Sequence, residues 1–308
     1  MKIKNPFNKK KDYILLSKIL KILNINSDIK DKKIDNISDL DNASINQISF
    51  FNSIKYKHLL NKTNAKFILT DKKNYNIVKD YSYPLIVNNV LKSVAIVTNL
   101  FYPDSLNDAV DFSLNKLNGK KYINLSFGKN ILLGKKVKIG KNCIIGHNTI
   151  IESNVIIGDN CVIGNNILIK NTIIGDNVRI LDGSIIGKKG FGFFPDKKSN
   201  YRYPHIGMVI IEDNAEIGCN NTIDRGSLSN TVIGKNTYLD NQVHIAHNVK
   251  IGKNCIITGQ VGFAGSSSLG DNVQVGGQAG ISGHLTIGNN VRIGGGSGVI
   301  KNIPDNSK

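Results

Sequence analysis

The sequence predicts a mainly β protein: a parallel β-helix of hexapeptide repeats preceded by a small α/β domain. Three observations carry this. From Leu125 the chain reads LSFGKN ILLGKK VKIGKN CIIGHN TIIESN VIIGDN CVIGNN, with glycines 128, 134, 140, 146, 158 and 164 in one six-residue register. Residues 1–112 lack that register and mix a helical pattern with short apolar runs. Thirty Gly stand beside only six Pro and no Trp, a balance that hints at an unusual architecture.

The N-terminal "MKIKNPFNKKKDYILLSKILKILNIN" imitates a signal peptide, but Lys18 and Lys21 interrupt its apolar part and no small-residue cleavage site follows. It reads as a basic lead into an amphipathic helix. No apolar run approaches the roughly eighteen residues that a membrane span needs, so a cytoplasmic protein with at most peripheral membrane contact is expected. "DYILLSKILKIL" has helical spacing. "QISFFN", "AKFILTD", "YPLIVNN" and "VAIVTNL" read as short strands. The expected domains are therefore 1–112 (α/β), a linker at 113–122, and 123–308 (β-helix).

Six residues make one short strand and a tight turn, so three hexapeptides complete one triangular coil. The aliphatic residue before each Gly, and the small residue two before that, point inward. The Gly is expected to supply the backbone freedom that turns the corner. Parallel strands of successive coils then lie about 4.8 Å apart. The register slips after Gly164, an insertion "KKGFGFFPDKKSNYRYPH" spans 188–205, and the register returns through Gly252, Gly270, Gly276, Gly288 and Gly294. Cys143, Cys161 and Cys255 share an inward column, which makes them small buried hydrophobes. Neither a disulfide framework nor a CxxC metal motif is present. The net charge of +17 suits an acidic partner, whether a phosphorylated substrate, an acidic carrier protein or a membrane surface.

The repeat is least regular around two histidines. His247 follows Ala246, which replaces a column Gly; His284 lies two places after Ser282, another replacement; and "GQVGFAGSSS" at 259–268 adds glycines outside the register. His247 and His284 are 284 − 247 = 37 residues apart, two coils plus one residue, and so project near one corner. Local violation of a strict repeat is where function is expected. A neutral imidazole with a pKa near 6.5 suits a general base. His244 and His247 have zinc-like spacing, but His244 belongs to an outward strand position and no third ligand is evident, so no metal is expected. His147 reads as an exposed turn residue.

The stretch from Thr222 to Gly288 resembles the UDP-3-O-(3-hydroxyacyl)glucosamine N-acyltransferases of lipid A biosynthesis. The motifs that carry the likeness are Thr222-Ile-Asp-Arg-Gly226, Asp240-Asn-Gln242, Ile245-Ala-His-Asn-Val249, Ala264-Gly-Ser266 and Gly283-His284. The resemblance extends to the N-terminal domain, with "ISFFNSIKYKHLL", and implies a left-handed β-helix and a homotrimer. It implies transfer of a 3-hydroxyacyl chain from the 4'-phosphopantetheine of acyl carrier protein to the 2-amine of UDP-3-O-acylglucosamine, in the cytoplasm of a Gram-negative bacterium. No further cofactor and no nucleic acid are implied. The general base maps onto His247, the second histidine onto His284, the oxyanion donor onto the backbone of Gly265, and the acidic residue near the base onto Asp240. Phe50, Ser53 and Tyr56 map onto uracil-side positions, and Asn248 onto a substrate-binding one. This chain has Ser53 where the family has Asn, and Lys189 where it has an acidic residue. The sequence stops at "NIPDNSK", where the resemblance leads to the expectation of C-terminal helices. Two other readings stay open: an amino-sugar N-acetyltransferase using acetyl-CoA, and a non-catalytic or metal-binding scaffold.

Overall fold

The computed structural model describes residues 5–103, 105–195 and 200–308. Lys2 and Lys4 of the basic lead, and 196–199 of the insertion, lie outside the described residues. The chain divides into two compact units: residues 8–107 with 192–206, and residues up to 7 with 108–191 and 207–308.

The first unit is built on a parallel sheet of four strands in chain order, Asn36–Ile37, Gln47–Phe51, Phe67–Thr70 and Tyr83–Ile86. The expected N-terminal helix is Leu16–Ile22, burying Leu16, Ile19 and Leu20 at helical spacing. "VAIVTNL" is not the expected strand. It lies inside the helix Val90–Phe101, whose Asn89 side chain caps the Lys92 N–H at 3.0 Å. Buried Val90, Val94, Val97 and Phe101 recur every three or four residues, so packing of one face overrides the β-branched propensity. The insertion adds an antiparallel hairpin, Phe193–Pro195 with Asn200–Arg202.

The second unit is the parallel β-helix, with sheets of 8, 9 and 10 strands forming three faces. Successive coils pair in register, as in Ile144 with Val162 and Ile145 with Ile163. Its core is one continuous column that includes Ile145, Ile163, Ile245 and Phe263, with Cys143, Cys161 and Cys255 buried as expected. Residues 113–122 form a first layer of this helix instead of a free linker. Asn115–Lys116 pairs antiparallel with Leu132–Leu133, and Leu117 and Tyr122 pack on the core.

The corners are turned differently from the sequence expectation. The left-handed residue is the one two places after the column Gly, most often Asn, such as Asn142 (φ 57°) or Asn254 (φ 55°). Only Gly183, Gly187 and Gly296 are glycines with positive φ among the described residues. The column Gly is needed for closeness: a Cβ on Gly146 would stand 2.5 Å from the carbonyl carbon of Gly164 on the next coil. The backbone N–H after the column Gly is then capped by a side chain one coil on, as Lys141 N is by Asp159 Oδ1 and Lys253 N by Asp271 Oδ1, both at 2.8 Å. His147 is such a cap, its Nδ1 accepting from Lys129 N at 2.8 Å. The Asn side chains stack in amide ladders, for example Asn236 to Asn254 at 2.9 Å.

Candidate active site

Strands His244–Ile245, Gly262–Phe263 and Gly280–Ile281 lie side by side on one face. The turns that follow them, 246–248, 264–266 and 282–284, therefore stack along one edge. Backbone hydrogen bonds fix the stack: Ser266 N donates to His247 O at 3.0 Å and His284 N to Gly265 O at 3.1 Å. This edge lacks the usual caps. The positions that elsewhere carry Asp, Asn or Ser are Gly265 and Gly283, so the Gly265 N–H makes no hydrogen bond among the described residues.

Gly265 also makes room for a ring. A Cβ there would stand 2.7 Å from His247 Cε1 and 2.8 Å from Nε2. On its other side, His247 Nδ1 is 2.9 Å from Asn248 Oδ1. Asn248 is 9% exposed and left-handed (φ 64°), and its orientation follows from its neighbours. Its Oδ1 accepts from Ser227 N (3.1 Å) and Ser227 Oγ (2.7 Å), while its Nδ2 donates to Ser229 O (3.1 Å) and Oγ (2.7 Å). A backbone N–H can only donate, so the atom facing Ser227 N is the amide oxygen. That oxygen can only accept, so the neutral imidazole carries its proton on Nδ1 and its basic lone pair on Nε2.

A groove of about 630 Å³ runs past this ring, lined by His247, His244, Gly265, Gly262, Gly280 and Phe191 among others. A Cβ on Gly262 or Gly280 would meet nothing within 4 Å, so these glycines leave space outside the chain. His244 points outward with Nδ1 2.7 Å from Thr222 Oγ1. His284 is exposed and takes the left-handed place (φ 59°) that Asn fills in ordinary coils.

Not every expected residue joins them. Asp240 follows the strand Tyr238–Leu239 and sits at a different corner, with its Oδ2 beside Gly259. The strand His244–Ile245 separates it from His247, so the two lie roughly 20 Å apart along the extended chain. The expected acid beside the base is not made within one chain. Asn248 was expected to touch substrate, yet both ends of its amide are occupied by Ser227, Ser229 and His247. Phe50, Ser53 and Tyr56 belong to the other unit. They gather at the carboxyl end of Gln47–Phe51, where Ser53 precedes the turn Ile54–Tyr56, the position at which open parallel sheets bind ligands. Burial pushes the Tyr56 hydroxyl pKa up.

The Thr222–Gly226 motif has a structural role that residue spacing does not announce. Asp224, 1% exposed, meets Lys188 Nζ at 2.6 Å, although the carboxylate makes no well-directed hydrogen bond. Arg225 and Lys170, both buried, converge on Asp108 at 2.9 and 3.1 Å, and Lys170 also reaches Glu152 at 3.3 Å. Burial opposes ionisation of Asp108, but Arg225 and Lys170 hold its carboxyl below the usual range. Ser227 and Ser229, the residues that orient Asn248, were also missed. Their signal was the break in the hexapeptide register after Gly226.

Comparison with known proteins follows this geometry. The family described as bacterial transferase hexapeptide (six repeats) matches residues 230–265, and the GMPPB C-terminal domain matches residues 127–190. The solved UDP-N-acetylglucosamine acyltransferase from Campylobacter jejuni is similar over 58% of this chain and 68% of that one, at 27% identity and a TM-score of 0.51. These matches share the hexapeptide-repeat β-helix with this chain. The UDP-3-O-acylglucosamine N-acyltransferase of Rhizobium rhizogenes is 51% identical over 76 residues, which are 25% of this chain and 21% of that protein. Its namesake in Agrobacterium fabrum is 50% identical over 76 residues, with the same coverage. The matched stretch thus spans about a fifth of the length of those curated relatives. No helix among the described residues is long and apolar enough to cross a membrane.

Proposed function

We propose that the chain is an N-acyltransferase that moves a 3-hydroxyacyl chain from an acyl carrier protein thioester to the 2-amine of a UDP-3-O-acylglucosamine. The observation that carries this reading is the pairing of His247 and Gly265. A single groove holds an imidazole whose Nε2 is basic and, one coil on, a backbone N–H without a partner among the described residues. The short matches to two enzymes named for this substrate favour it over acetyl transfer.

In this reading the amine gives its proton to His247 Nε2 as its lone pair attacks the thioester carbonyl carbon. The C–N bond forms, and the carbonyl π electrons move to oxygen, where Gly265 N–H receives the charge. Collapse of the tetrahedral intermediate breaks the C–S bond, and the departing thiolate takes the proton from the imidazolium. General-base help is worth about 10²–10⁴ in rate, and one oxyanion donor about 10²–10³. His284, on the same edge one coil beyond Gly265, is assigned to holding the acyl acceptor. Phe50, Ser53 and Tyr56 are assigned to the uracil. Asn248 is a positioning residue for His247. Asp240 takes part only if a second copy of the chain presents its own Asp240 corner, as the homotrimer implied by the resemblance would allow.

The test is an acyl-transfer assay read by mass spectrometry. UDP-3-O-acylglucosamine is offered a panel of 3-hydroxyacyl carrier-protein donors, with acetyl-CoA alongside. A diacylated product with a carrier-protein donor, reduced at least about a hundredfold by His247→Ala, is the expected result. Transfer from acetyl-CoA alone, or near-normal turnover by His247→Ala, overturns the reading.

A further inference from the structure

The first coils of the β-helix are charged differently from the rest of the chain. Between Ser113 and Ile151 there are eight lysines and no Asp or Glu, although the whole chain holds 23 acidic residues. All eight lysines are exposed. None makes an ion pair among the described residues. They encircle the helix end: Lys129, Lys135 and Lys141 follow column glycines at the three successive corners of the first full turn, and Lys120 and Lys121 lie in the turn that precedes it.

Bulky apolar side chains are exposed in the same place. Asp111 turns its carboxylate inward to accept from Ser153 N at 2.9 Å and from Ser113 N at 2.9 Å. The residues on either side of it are exposed. Val110 is 66% exposed and Phe112 is 94% exposed. Lys135 stands next to them, its N–H donating to Ser153 Oγ at 2.8 Å. Ile123 is 59% exposed, and Phe127, whose ring lies against Gly119 beside Lys120, is 48% exposed.

We infer that this end of the β-helix docks on an anionic lipid surface. Unpaired lysines near a bilayer surface are drawn to acidic head groups, and apolar side chains entering the head-group boundary add to that attraction. A collar of charge on all three corners suits a flat, extended partner better than a globular acidic protein, which would meet one face. The inference stands apart from the acyl-transfer reading, and neither depends on the other.

Co-sedimentation of the full chain with phosphatidylcholine vesicles, with and without phosphatidylglycerol, tests it. Binding is expected only when phosphatidylglycerol is present, and raising salt until the Debye length falls to about 3 Å should abolish it. A Lys120→Glu, Lys121→Glu, Lys129→Glu variant is expected to partition at least about tenfold more weakly. Val110→Ser with Phe112→Ser should also weaken binding, which a purely ionic contact would not require. Thermal melting checks that each variant folds. Should the charge reversals melt early, Lys136→Asn is the milder neutralisation, because it puts the usual Asn at a left-handed position (φ 59°). No vesicle binding by the unaltered chain, binding indifferent to these variants, or retention only on an immobilised acidic polypeptide would overturn the inference.

Discussion

The imidazole of His247 occupies the space that a side chain on Gly265 would need: a Cβ there would stand 2.7 Å from Cε1. The proposed base and the proposed oxyanion donor therefore constrain each other across one coil. Because Asn248 holds Nδ1 at 2.9 Å, the ring cannot move away without losing that bond.

Gly265→Ala should accordingly leave the β-helix folded and displace the ring. We expect kcat/KM for acyl transfer to fall by about 10²-fold, since a misplacement of about 1 Å costs that much, while the melting temperature changes by only a few degrees. Full activity in this variant would separate His247 from the chemistry.

Asn248→Asp keeps an acceptor for Nδ1 and a residue type that tolerates positive φ. It replaces a neutral amide by a carboxylate, which favours the imidazolium. The limb of the pH–rate profile assigned to the base should move to higher pH. A merely structural role for Asn248 would lower stability and leave that limb in place.

Phe50→Ala should raise KM for the nucleotide sugar by more than it lowers kcat, because the uracil is remote from the reacting amine. Steady-state kinetics with the sugar varied will decide this. An unchanged KM would remove the carboxyl end of the Gln47–Phe51 strand from substrate binding.

Asp111 yields a pH prediction. Burial works against its ionisation, but hydrogen bonds from Ser113 and Ser153 prevail and lower its pKa to about 2. With an unfolded value near 3.9, the folded pKa is depressed, so its stabilisation is present above about pH 4 and is lost as pH falls toward 2. Asp111→Asn should cost about 1–2 kcal/mol at neutral pH, allowing for the partial exposure of the group. The gap between variant and unaltered chain in denaturant titrations should close near pH 2. A gap independent of pH would show that the carboxylate charge is irrelevant.

Periodicity made the β-helix legible because one register, repeated over many coils, averages out local accidents. It also placed His247 and His284 on one edge, since 37 residues is nearly a whole number of coils. What it hid depended on side-chain direction. The corner glycines read as the residues that free the backbone to turn, when the residue two places on, most often Asn, takes the left-handed turn and the Gly answers to crowding between coils. The family resemblance set Asp240 near His247, but seven residues carry it round a corner. "VAIVTNL" read as a strand on its β-branched residues, whereas the buried face from Val90 to Phe101 is helical. The charge network of Asp108, Lys170 and Arg225 joins residues 62 and 117 places from Asp108, beyond any local pattern.

The insertion bears on how such a molecule changes length. The coil leaves its path after Ile185–Lys189 and resumes at Val209–Ile211, where Val209 still pairs with Thr172 and Ile210 with Ile173. The ladder closes over the detour as though nothing had been added. Extra chain can therefore enter at a corner at almost any length, whereas along a face the molecule grows or shrinks only in whole turns. An edge assembled from three successive rungs, such as the one that carries His247, Gly265 and His284, inherits that arithmetic: its spacing is quantised by the backbone, and evolution can redecorate it more readily than rescale it.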